Sequence, residues 1–192
     1  MENKKITGKE IWKSFEIQQQ FFNECSLLIK EFKEKLEEYD PKMDLIKKEI
    51  LDVSSSLNSV DVWSPDAIQL TYQKVDEVVC INIILRDGTF KKNIGIFNEP
   101  LITYSRLKSN NLKSVDGFDK VWANWRIITE LNPENLQNLI KSTTIDLPKP
   151  EFNKIKNLKW IESGKLKAKK LFDIKNKGDI NDIVEEIKKW QV

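Results

Sequence analysis

Apolar and polar positions alternate most clearly over residues 78–97, VVCINIILRDGTFKKNIGIF. Val79, Ile81, Ile83 and Leu85 fall on one face of a period-two segment, and Val78, Cys80, Asn82 and Ile84 on the other. Asp87-Gly88 separates this run from a second one starting at Phe90, and both residue types tolerate the positive φ of a type I′ turn. The pattern predicts a hairpin with Leu85 opposite Phe90, Ile83 opposite Lys92, Ile81 opposite Ile94 and Val79 opposite Ile96. A slip of one residue would exchange the two faces, so burial selects the register.

Upstream the period changes. Thr7-Gly8-Lys9-Glu10 fits a capping box. Ile11, Phe15, Gln18, Phe22, Cys25, Ile29, Phe32 and Leu36 follow at steps of four and three, which is heptad spacing with one polar member, Gln18. Trp12, Phe21 and Leu28 widen the stripe, so a helix running to about Tyr39 is expected to pack against more than one element. Asp40-Pro41 offers an N-cap and a first helical position, and Met43, Ile46, Ile50 and Val53 continue the rhythm to about Ser56. Residues 1–58 are therefore expected to form an antiparallel helical hairpin.

Residues 59–106 read as an antiparallel sheet. Residues 60–62 and 67–73 have strand character, with Ile68, Leu70 and Tyr72 on one face, and 101–106 follow Pro100 as a further strand. Residues 107–192 read as mainly helical. Phe118, Val121, Trp122, Trp125 and Ile128 share a face, Asn132-Pro133 opens a short helix, and Ile180, Ile183, Val184, Ile187 and Trp190 mark the last helix. Pro148 and Pro150 bracket a connector, and 151–177 fit neither period. The expected fold is a single α+β domain over 1–192: an antiparallel β-meander centred on the 78–97 hairpin, packed by a long N-terminal helical hairpin and C-terminal helices.

Composition narrows the chemistry. The chain has 192 residues, 40% of them apolar, enough for a core. It contains no histidine, which removes imidazole acid–base catalysis, Ser-His and Cys-His pairs and the usual imidazole metal sites. Cys25 and Cys80 lie in unrelated elements without a C-x-x-C spacing, so a reduced, cytoplasmic protein with two buried thiols is expected. No apolar run is long enough for a membrane span, and the N-terminus lacks the apolar stretch of a signal peptide. Glycines are scattered, and Gly164-Lys165 lacks the rest of a phosphate-binding loop. No catalytic residue, metal ligand or cofactor is expected.

Charge is uneven. Residues 1–100 hold 14 basic and 18 acidic side chains, residues 101–192 hold 18 and 12, and 149–177 alone carry ten lysines against three acids. Lys154, Lys156, Lys159, Lys165, Lys167, Lys169 and Lys170 are interleaved with Trp160, a pattern that offers phosphate contacts and base stacking to a nucleic acid. The segment has no arginine for bidentate base reading, and lysines commonly run along core aromatics. Trp122 and Trp125, with Arg126, form an aromatic group that is a core anchor if buried and a protein-binding hot spot if exposed. A carboxylate- and metal-dependent nuclease would need an acid and an acid-x-Lys on adjacent strands, and residues 66–100 contain no such triplet. The expected function is a non-enzymatic protein-binding or regulatory one, through helical and aromatic surfaces, with homo-oligomerisation through the 11–36 helix as one form. Nucleic-acid binding by 149–177 is the alternative, and the nuclease stands behind both.

Overall fold

In the computed structural model, the described residues are 7–39, 44–51, 67–85, 99–131, 133–153, 155 and 157–192. Helix α1 (Gly8–Tyr39) starts at the expected capping box: the Thr7 N–H donates to Glu10 Oε2 at 2.8 Å, and the Glu10 N–H donates back to Thr7 Oγ1 at 3.3 Å. Strands β1 (Asp44–Leu51), β2 (Ala67–Lys74), β3 (Glu77–Ile84), β4 (Leu101–Lys108), β5 (Ile145–Pro148) and β6 (Ser163–Lys170) form one sheet in the order β1-β2-β3-β4-β6-β5. Every pairing in it is antiparallel. The helices α2 (Gly117–Val121), α3 (Ala123–Glu130), α4 (Pro133–Ile140), α5 (Lys149–Asn153) and α6 (Lys177–Lys189) complete an α+β fold, the class that the residue pattern predicts.

The sheet is covered on both faces. One face carries the rows Ile68–Ile83–Ile102 and Leu70–Ile81–Tyr104, packed beneath α1 and α6 through Ile29, Phe32, Ile183 and Ile187. The other carries Thr71–Cys80–Ser105–Leu166 and neighbouring rows, packed beneath the C-terminal segments through Trp125, Ile128, Leu139 and Phe152. The two-faced division of 78–84 is thus as the alternation predicts. From Val78 to Ile84 every residue of β3 is buried, since helices lie above and below it.

Three expectations are corrected. The segment expected to be the second helix of an N-terminal hairpin is, at Asp44–Leu51, the edge strand β1, paired to β2 from Asp44–Gln73 to Leu51–Ala67 with a bulge between Leu45 and Lys47. A short apolar run fits either period, and joining the open edge of β2 satisfies a row of backbone donors and acceptors. The expected pairing of 78–85 with 90–97 is not the one β3 makes, because its two edges are taken by β2 and β4. Its hairpin is with β2, across Val75-Asp76. The Asp87-Gly88 turn and the strand expected at 60–62 lie outside the described residues. Finally, the C-terminal part adds β5 and β6 to the sheet, where a connector and an unassigned stretch are expected. The signal in β6 is weak because its inward positions are Gly164, Leu166 and Ala168. Gly164 is required: a Cβ there would sit 2.6 Å from Leu107 Cδ2 and 3.3 Å from the Arg106 carbonyl.

Candidate interaction surface

The helix α1 spans 32 residues, about 48 Å at 1.5 Å per residue. Its heptad seam divides in two. Cys25, Ile29, Phe32 and Leu36 are fully buried on the sheet. Ahead of them, on the same seam, Ile11 and Phe15 are 47% and 58% exposed, and Gln18 and Phe22 are half-buried. Trp12, beside the seam, is 72% exposed. The spacing does not change at Cys25, but among the described residues the packing on the sheet is carried by Cys25 and the seam residues after it.

This free half borders a groove of about 410 Å³ between α1 and the turn entering α6. Phe21, Leu27, Leu28, Leu171, Phe172 and Ile174 supply its apolar wall, with Phe172 and Leu27 largely exposed. Phe21 and Phe22 meet edge to face at 5.9 Å. The rim is charge-balanced, with Glu24 and Glu31 facing Lys175 and Lys177, and Lys177 bonds Glu31 at 2.5 Å. The Cys25 thiol at the groove is pushed up to about 11, by burial first and by Glu24 second, so it is held as the unreactive thiol. The turn itself is fixed by a capping box, in which Asn176 Oδ1 accepts from the Gly178 N–H at 2.7 Å and Asp179 accepts from the Asn176 N–H.

The aromatic group of α2 and α3 is divided. Trp125 is a buried core residue. Trp122 is half-buried at the break between the two helices and lies 5.5 Å from the ring of Phe118, which is 59% exposed. Arg126 bonds Asp119 at 2.6 Å and covers the Phe118 ring at 5.6 Å. The outermost ring of this group is therefore Phe118, where the sequence pointed to the two tryptophans.

The basic segment is also divided. Lys154 and Lys156 lie outside the described residues. Lys159 is exposed, while Trp160 packs against the core beneath the C-terminal helices and donates its indole N–H to the Asn157 carbonyl at 2.9 Å. Lys165, Lys167 and Lys169 alternate with the inward residues of β6 and share the opposite face with Arg106, Tyr104 and Ile102. Trp160 and these lysines thus do not line one groove. Lys165 bonds Asp146 at 3.2 Å, Lys167 bonds Glu186 at 2.6 Å, and Lys170 bonds Glu99 at 2.5 Å.

Two constellations had no clear sequence signal. Arg106 forms a bidentate pair with Glu77, at 2.8 and 2.9 Å from Nη2, and its Nη1 donates to the carbonyls of Ile187, Lys188 and Trp190 at the end of α6. Beneath α3, Asn82 donates to Gln69 Oε1 at 3.3 Å, Gln69 donates to Thr71 Oγ1 at 2.9 Å, and Asn124 donates to Thr103 Oγ1 at 3.3 Å, all fully buried. This ladder holds amides and hydroxyls with the Cys80 thiol beside them, itself pushed up to about 11 by burial, so none of its groups exchanges a proton near neutral pH. Among the described residues no cluster of acidic side chains and cysteines has the arrangement of a metal site, and no helix is long and apolar enough to cross a membrane. No protein-family model, curated protein or solved structure matches the chain.

Proposed function

We propose that this protein is a protein-binding module whose docking element is the free half of α1, with the adjoining groove at Phe21, Leu28 and Phe172 as its edge. One observation carries the reading. A single heptad seam is buried from Cys25 onward and bare over Ile11 and Phe15, with Trp12 beside it. A folded chain rarely leaves a contiguous apolar stripe in water unless something covers it. An amphipathic helix meets its partner through residues at this spacing. The role is one of recognition through shape and apolar area, and it requires no covalent chemistry from the chain.

A photoreactive amino acid placed at position 15 tests this, with one at position 30 as the control, since Lys30 lies on the same helix with its side chain 70% exposed. Irradiation in cells of the native host should give a discrete protein adduct from position 15 and little from position 30. Equal yields at the two positions would sink the reading.

A further inference from the structure

We propose that the free half of α1 is covered by the same half of a second copy, paired antiparallel about a two-fold axis between Glu16 and Ile17. The proposal rests on the docking reading above and names its partner. In an antiparallel helix pair, the two kinds of seam position face one another across the axis. With this axis, Ile11 lies opposite Phe22 of the second copy and Phe15 opposite its Gln18, and symmetry repeats both contacts. Four layers result, and they use the four seam residues ahead of Cys25.

Orientation follows from where each seam is already occupied. From Cys25 onward the same face of the helix lies on its own sheet. A parallel partner would run its own continuation into that sheet. An antiparallel partner does not, because its helix begins at Gly8, and Gly8 falls opposite Cys25 in this register. The contact therefore stops where the sheet takes over.

Charge permits an identical partner. The positions flanking the bare seam, where coiled coils select partners by charge, are Trp12, Ser14, Gln19 and Phe21, none of them charged. Lys9, Glu10, Lys13 and Glu16 are balanced in sign and lie off the seam. Size sets the strength. Each copy brings Trp12, Phe15, Phe21 and Phe22, and an aromatic side chain buries roughly 150–250 Å² when fully covered. Trp12 and Phe15 are 72% and 58% exposed and Phe21 and Phe22 are already half-buried, so the rings of both copies offer less than about 1,000 Å² in total, the size of a weak, transient contact, which makes a dimer that dissociates on dilution.

Light scattering on the full chain should give a mass near twice 22.5 kDa that falls towards 22.5 kDa on dilution. Phe15→Asp should hold the lower mass at every concentration with the melting temperature of the diluted wild type, because Phe15 makes no core contact in its own chain. Orientation is read by mixing Ile11→Cys with Phe22→Cys under mild oxidation. The mixture should give a disulfide-linked pair of the two variants, and neither variant should cross-link alone. The native thiols stay out of the exchange because both are buried. A wild-type mass of 22.5 kDa at all concentrations would overturn the self-pairing. The docking reading would then stand or fall separately on the mass of the position-15 adduct. Cross-linking of Ile11→Cys to itself would overturn the antiparallel register.

Discussion

The guanidinium of Arg106 ties the end of α6 to the start of β3. It donates to three carbonyls at that helix terminus, where Ile187 also accepts the Trp190 N–H, and its charge suits that end of the helix dipole. The same group holds Glu77 bidentately with both side chains mostly buried, at 19% and 16% exposure, so solvent screens the pair only in part. Arg106→Met strands the Glu77 carboxylate and should lower unfolding free energy by about 2–4 kcal/mol in urea titrations. Arg106→Lys keeps the charge but not the fork, and should cost less than Arg106→Met yet remain clearly destabilising. The thiols make a second prediction at this scale. Burial raises Cys25 and Cys80 from their ordinary value of 9.0 to about 11, so in the unfolded chain both ionise first. Their contribution to stability is complete below the ordinary value and is lost as pH rises through the folded one. Tyr72 and Tyr104 are raised too, chiefly by burial and then by Glu37 and Glu186 respectively, which extends the loss further upward. The urea midpoint should therefore hold steady up to about pH 8.5 and decline between 9 and 11. A flat midpoint across that window would mean that the thiols are solvated in the fold.

At the scale of elements, α1 is two helices in one. Phe32 is fully enclosed, so Phe32→Ala should cost about 3–5 kcal/mol. Phe15→Ala, on the same seam, should shift stability by no more than about 0.5 kcal/mol. Paired denaturation curves separate the halves, and similar losses at both positions would mean that the bare half has a partner within its own chain. The capping box at Thr7, the end of α1 at Tyr39, β2 and β4 and the buried face of α6 were legible because each carries a complete local pattern. The division of α1 was not, since periodicity records which face is apolar and not how far the opposing sheet extends. The β2–β3 turn was missed for a different reason. Val75 and Asp76 both have negative φ, so this is not a primed turn and no glycine or asparagine marks it. In β6, small inward residues hide a central pairing behind a row of lysines.

At the scale of the molecule, the candidate surface was half legible. Ile11, Phe15, Gln18 and Phe22 stand out in the sequence as one stripe, but the groove beside them depends on Phe172, some 150 residues further along the chain. The basic segment misleads in the opposite way. Lys165, Lys167 and Lys169 are near Trp160 in sequence, yet strand alternation and the turn at Asn157 send them and the indole to opposite faces of the sheet. The pairing of α1 with α6 has a consequence for how the protein is made. Helix α1 leaves the ribosome well before α6, with which it shares a sheet face through the Lys177–Glu31 ion pair and the Lys188 ammonium 4.7 Å from the Tyr39 ring. Until translation passes Trp190, Tyr104 lacks the ring that stacks on it at 5.5 Å, and Arg106 lacks the full set of carbonyls it caps. A nascent chain halted short of α6 thus presents a half-bare sheet to chaperones and proteases, and that face is covered only once α6 has been made.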